Sequence, residues 1–341
     1  MRTSTRLRRI VAGLALCCAA TALAACSPAA DAGPGQQAGT SVAIEHVFGS
    51  TEIPEDPQRI VTLGWYSQDV VAALGLVPVG VQDFSWGSVD RYLPWFQRRV
   101  EELGGELPEI LRQNDAGEYD EEQILSLEPD LILASHSGID ETQYQRLSEI
   151  APTVAYPEVP WASERERLTL DIGRALGRQE QARQLLDEAD AAIAAAAARH
   201  PEFQDVVFTY GWYLPEGETS VDFYLQRDPR VQLVEQLGFV SSPQIADAAA
   251  GSDEFTVSVS LERLGTVESE FHIGWGDGPA DVTRTVEHPL ISRWGPIAAG
   301  SHYFFVDDTE LAWATTAPSV LSIPETVDEI ADRLASGLKT A

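Results

Sequence analysis

The chain has 341 residues, 44% of them hydrophobic, with 53 acidic against 23 basic side chains and a formal net charge of −30. A surface this acidic repels nucleic acid and anionic lipid headgroups, so neither is expected as a direct partner. The sole lysine is Lys339, at the C-terminal end, which removes P-loop, Schiff-base and kinase-type lysine chemistry from the folded body.

In chain order, Arg2, Arg6, Arg8 and Arg9 form a cationic start, and Ile10 to Leu23 follow as an apolar run too short to span a bilayer. Leu23-Ala24-Ala25-Cys26 comes next and resembles the lipobox of a bacterial lipoprotein precursor. This predicts a signal peptide over 1–25, with Cys26 as the lipidation site. An ordinary signal peptide with an incidental cysteine is the plain alternative. Arg8-Arg9 leaves both the Sec and the twin-arginine export routes open. Removing 1–25 takes four arginines and no acid, leaving 19 basic against 53 acidic groups, a net −34. Cys17, Cys18 and Cys26 are the three cysteines, so no disulfide framework and no thiolate metal site is expected downstream. Residues 26–41 are rich in Ala, Gly, Pro and Gln and predict a flexible tether, with order starting near Val42.

From Arg59 the pattern alternates strand and helix. Strands are predicted at 59–63, 77–81, 131–134 and 153–156, with Pro78 marking an entry or edge. Helices are predicted over 68–74, capped by Ser67, and over 121–127 and 141–150. A helix over 163–176 ends at Gly177, and a long one over 179–199 carries Ala182, Leu185, Leu186, Ala189, Ile193 and Ala196 on one stripe. Its 21 residues make a rod of about 32 Å. The alternation then resumes, with strands at 206–210, 221–225, 271–274 and 303–306 and helices at 230–237, 262–264 and 325–334. This predicts an N-terminal α/β lobe over 42–178, a linking helix over 179–200 and a C-terminal α/β lobe over 201–341.

Four stretches carry a family likeness. They are Arg59-Ile-Val-Thr-Leu-Gly-Trp65 with Ala72-Ala-Leu-Gly-Leu-Val-Pro-Val-Gly80, Glu122-Gln-Ile-Leu-Ser-Leu-Glu-Pro-Asp-Leu-Ile132, Leu147-Ser-Glu-Ile-Ala-Pro-Thr-Val-Ala-Tyr156, and Gly173-Arg-Ala-Leu-Gly-Arg178. In that order and spacing the chain resembles the iron-siderophore and cobalamin class of periplasmic binding proteins, specifically its ferric-siderophore branch. The resemblance implies a class III binding-protein fold, in which two Rossmann-like lobes with mainly parallel sheets are joined by one long helix. It further implies a monomer on the extracytoplasmic face of the membrane, at a Gram-positive cell surface or in a periplasm. There the chain would capture a ferric siderophore between its lobes and hand it to an ABC permease dimer, with no catalysis and no resident cofactor. It also implies one docking glutamate per lobe, which fall at Glu122 and Glu262. From the residues alone, acids in a first helical turn are explained by the helix dipole.

Ligands of α/β sheets bind at the carboxyl ends of strands, which makes Trp65, Tyr66, Trp86, Arg91, Tyr92, Trp212, Arg227 and Trp275 the candidate ligand-binding residues. Aromatic faces stack on a chelate's organic shell, and guanidinium groups pair with its oxygens. The six histidines show no i, i+4 pair, so no protein metal site is expected. His136, at a strand end, leaves haem as an alternative ligand, with cobalamin beside it. An exported hydrolase or adhesin is the weaker alternative, because no G-x-S-x-G elbow is present.

Overall fold

The computed structural model describes residues 42–86, 89–114, 116–248 and 254–339. The leader, Cys26 and the tether lie outside the described residues. Strands β1 (Val42–His46) and β2 (Gly49–Ile53) form an antiparallel hairpin whose alternate residues, among them Ile44 and Ile53, turn inward.

The first half continues with β3 (Ile60–Gly64), α1 (Ser67–Ala73), β4 (Gly80–Gln82), α2 (Pro94–Glu102), β5 (Glu109–Leu111) and α3 (Glu121–Ser126). It ends with β6 (Leu131–His136), α4 (Glu141–Ile150), β7 (Thr153–Val154) and α5 (Arg165–Ala175). Its five strands are all parallel, in the order β5-β4-β3-β6-β7. Residues 60–64 and 131–136 are buried without a break, as expected for strands covered on both faces. The strand order reverses between β3 and β6, so a crevice opens past their carboxyl ends.

Helix α6 (Gln179–Arg199) follows, with the bounds its apolar stripe predicts. Gly177 (φ 65°) supplies the left-handed residue that ends α5, and the Arg178 amide bonds back to the Gly173 carbonyl. Ala182, Leu186, Ala189, Ile193 and Ala196 are its buried face.

The second half comprises β8 (Val207–Trp212), β9 (Ser220–Tyr224), α7 (Pro229–Gln236), β10 (Val240–Ser241), α8 (Pro243–Ala248) and β11 (Thr256–Ser260). Then come β12 (Phe271–Trp275), α9 (Pro279–Glu287), α10 (Gly295–Ala299), β13 (His302–Phe305), α11 (Thr309–Thr316) and α12 (Ile323–Gly337). Its sheet runs β11-β9-β8-β12-β13, with β10 also paired to β8. Strands β8, β10, β12 and β13 are parallel, whereas β9 runs antiparallel to both of its neighbours, β8 and β11. The link from β8 to β9 is too short to hold a crossover helix, so the chain turns back as a hairpin. Helix α6 packs on α5 from the first half and on α7 and α12 from the second. One apolar cluster runs from Ile44 through α6 to Leu334, and each half adds a smaller cluster of its own.

Three local expectations need correction. Ser67 is the first residue inside α1 rather than its cap, because Tyr66 holds the cap position without a side-chain bond. The second strand is Gly80–Gln82 rather than 77–81, since Pro78 delays pairing. Over the expected helix 262–264, residues 262 and 263 belong to a turn and Leu264 starts a short 3-10 segment, Leu264–Thr266.

Candidate ligand site

The site starts from the backbone. Gly64, at φ 81°, ends β3 at a register shift against β6, and a Cβ there would lie 1.9 Å from the His136 carbonyl oxygen. Only glycine lets these two strand ends approach so closely. The Trp65 amide then donates to that same carbonyl (3.2 Å), which sets Trp65 beside His136 at the point where the sheet order reverses. The second half repeats the arrangement: Trp212 and Trp275 are register partners at the ends of β8 and β12, with ring centroids 5.6 Å apart.

The aromatic contacts form a chain across both halves. Trp65 packs on Trp161 (4.3 Å) and edge-on against Trp313 (5.6 Å). Trp313 meets Phe84 (5.4 Å) and Trp86 (6.0 Å), and Trp86 meets Trp275 (5.6 Å). The Tyr224 hydroxyl accepts from the indole N–H groups of Trp275 (2.9 Å) and Trp212. The Arg230 guanidinium lies 4.1 Å over the Tyr224 ring, a cation–π contact. His136 closes the circuit, in edge contact with Trp161 (5.8 Å) and within reach of the Arg230 charge.

Polar atoms in this circuit lack protein partners. Trp65 Nε1, Trp313 Nε1, Arg230 Nε, His136 Nδ1 and Ser135 Oγ are buried with none. Natural cores rarely leave such groups unpaired, since each costs roughly 1–3 kcal/mol. With the aromatic contacts around them, they make this the candidate ligand site. Burial, aided by the Arg230 charge, pushes the His136 imidazole down to about 3 and keeps it neutral. Asp228 caps α7 through the Arg230 amide (2.9 Å) and pairs with its guanidinium (2.7 Å). Burial lifts the Asp228 carboxyl to about 6 against the pull of Arg230. A groove of about 970 Å³ runs alongside, walled by Pro157–Val159 and Ala162–Glu164 from the first half and by Leu225–Arg227 and Glu235 from the second.

Of the strand-end residues expected from sequence, Trp65, Trp86, Trp212 and Trp275 come together in the circuit, and Arg227 lines the groove. Three do not. Tyr66 is buried beneath α5, its hydroxyl bound to Thr169 (2.8 Å) and Arg165 O (3.3 Å). The Tyr92 hydroxyl donates to the Pro108 carbonyl (2.7 Å). Arg91 is exposed and faces Asp83 (3.8 Å). Sequence reasoning passed over Trp161, Trp313, Tyr224 and Arg230. The Asp228-Pro229-Arg230 helix start was a usable signal, because a capping Asp and Pro at the first position place the next side chain beside the preceding strand end. Glu122 is exposed in the first turn of α3, and Glu262 is exposed in the turn after β11. Among the described residues no cluster of His, Cys, Asp or Glu can hold a metal, and no helix is long and apolar enough to cross a membrane.

The periplasmic binding protein family model matches residues 60–241. YhfQ of Bacillus subtilis, an ABC transporter substrate-binding lipoprotein by name, is 24% identical over 285 residues, covering 78% of this chain and 81% of the relative. The Fe(3+) dicitrate-binding periplasmic protein FecB of Escherichia coli is 26% identical over 270 residues, covering 75% and 79%. Among solved structures, Streptococcus pneumoniae PiaA in complex with ferrichrome matches with a TM-score of 0.79 and 28% identity, covering 86% of this chain and 98% of that one. Staphylococcus aureus SirA complexed with staphyloferrin B shares the fold, with a TM-score of 0.68 at 22% identity and coverage of 86% and 99%.

Proposed function

Because the chain belongs to the periplasmic binding protein family, a family of solute-binding proteins, and has its class III fold, we propose that it captures a ferric siderophore between its two α/β halves and delivers it to an ABC importer. The observation that carries this reading is the aromatic circuit, with unpartnered N–H donors turned inward at the carboxyl ends of both sheets. Flat indole faces suit the organic shell of a chelate, and the donors suit its oxygens. Relatives named for ferric chelates support the same assignment.

The haem alternative asks His136 to present a ring nitrogen to an open cleft. That imidazole is 1% exposed and lies edge-on against Trp161, which favours the chelate reading. No catalytic step is assigned to the site. Within this proposal Trp65, Trp86, Trp212, Trp275 and Arg227 contact the ligand. Glu122 and Glu262, exposed one on each half, dock into the permease dimer, and the chain works as a monomer. A diacylglyceryl group on Cys26 holds it to the extracytoplasmic face of the membrane. The organisation into signal peptide, tether, lobe 42–178, linking helix 179–200 and lobe 201–341 belongs to the same reading.

The test is a tryptophan-fluorescence titration with ferric and iron-free chelators. Saturable quenching by a ferric chelate, weaker for its iron-free form, is the expected result. No response to any ferric chelate would remove the proposal.

A further inference from the structure

We infer that the cargo is an electroneutral ferric chelate of the trihydroxamate type, rather than an anionic catecholate or carboxylate complex. This deepens the reading above and rests on it.

The argument is a balance of charge at the site. Arg230 is the guanidinium inside the circuit, and its charge is cancelled by the buried Asp228 carboxylate 2.7 Å away. His136 adds none, being held neutral by burial and by Arg230. On the opposite wall Asp277 accepts from Trp86 Nε1 (3.1 Å) and from the Tyr213 hydroxyl (2.9 Å), which adds a negative charge. The groove alongside sets Arg167 and Arg227 against Glu158, Glu164 and Glu235, and Arg167 is itself paired with Asp171 (2.9 Å). No lysine lies near to shift this balance. Around it all is a protein of net charge −30, whose field opposes the approach of an anion.

The uncommitted groups tell the same story. Trp65 Nε1, Trp313 Nε1 and Arg230 Nε are N–H donors, two of them uncharged. Indole donors satisfy carbonyl and N–O oxygens, which are good acceptors without net charge. A site for a trianion would instead offer several guanidinium groups free of carboxylate partners. Recognition here works through stacking and neutral hydrogen bonds.

The experiment titrates the protein with three ferric chelates: ferrichrome as an electroneutral trihydroxamate, a trianionic ferric tris-catecholate, and ferric citrate. Each titration is run at low and at high salt. The expected result is a dissociation constant at least tenfold lower for ferrichrome than for either anionic chelate, and nearly independent of salt. Asp277→Asn should improve the affinity for the anionic chelates relative to that for ferrichrome. Equal or tighter binding of an anionic chelate, or affinity that falls steeply with salt, overturns the inference while leaving siderophore capture intact. Absence of quenching by all three overturns both.

Discussion

Asp69→Asn tests a fully buried carboxyl group. Asp69 lies on α1 with no exposure, accepting from Trp95 Nε1 (2.7 Å) on α2, from Ser319 Oγ (2.6 Å) ahead of α12, and from Gln68 Nε2 (3.1 Å). Burial pushes its carboxyl from 3.8 up to about 7, against these three hydrogen bonds. The unfolded chain releases this proton near 3.8, whereas the native state keeps it to about 7. Between those values the native state holds more protons, so stability falls as pH rises, and the full loss is present above 7. At about 1.4 kcal/mol per pH unit the native carboxylate costs on the order of 4 kcal/mol at alkaline pH. Asparagine carries no such cost. Its carbonyl, in the Oδ2 position, can accept from both Trp95 and Ser319, while its amide can donate to Gln68 Oε1, which is buried without a partner, once that side-chain amide turns over. Urea unfolding followed by tryptophan fluorescence should find the variant more stable than the parent by roughly 1.5 kcal/mol at pH 5 and by about 4 kcal/mol at pH 8. A difference between variant and parent that stays flat from pH 5 to pH 8 would show that this carboxyl does not titrate in the folded state, and would refute the reasoning.

Three further outcomes are expected. Trp65→Ala should weaken ferric-chelate binding about tenfold, roughly 1.4 kcal/mol, whereas Tyr66→Phe should leave affinity intact and lower stability by about 1 kcal/mol through loss of the Thr169 bond; matched titrations and unfolding curves separate the two. Gly173→Ala would put a Cβ 2.4 Å from the Ala182 Cβ where α5 meets α6; it should cost about 1–3 kcal/mol in denaturant unfolding despite the gain in helix propensity, and Ala182→Gly in the same chain should restore most of it. The Glu122→Ala, Glu262→Ala double variant should keep chelate affinity and lose cellular uptake, and full uptake would dismiss the docking assignment.

How far the site could be read from sequence depended on the direction of each side chain. Helices α4 and α6 have the bounds their apolar spacing predicts, because burying one face fixes both period and length. Strand ends were also legible, and with them Trp65, Trp212 and Trp275. Proximity to a strand end does not say which way a residue turns, however. Trp65 faces the crevice while Tyr66, its neighbour, is buried against α5. Trp161 was hidden because it sits in the loop between Pro160 and α5 with a left-handed backbone (φ 61°). Trp313 was hidden because α11 is buried on several faces and shows no clear stripe. Hairpin β1–β2 has polar His46 and Thr51 among its inward positions, which blurs the alternation, and Val47-Phe48 gives no strong turn signal.

The contacts that bridge the two halves differ in kind from one place to another. Asp69–Ser319 is fully buried and leads into α12, the helix packed on α6, so water cannot replace either partner without opening that packing. Trp86–Asp277 joins the halves at the surface, where water can replace either partner at little cost. Arg98–Glu325 is likewise an exposed pair between α2 and α12, of the sort that contributes little to stability. Relative movement of the halves is therefore resisted near α6 and nearly free of polar cost beside Trp86. A single continuous helix with few adjustable backbone positions has the same consequence. Ligand entry should then change the spacing of Trp86 and Trp275 far more than that of α1 and Ser319.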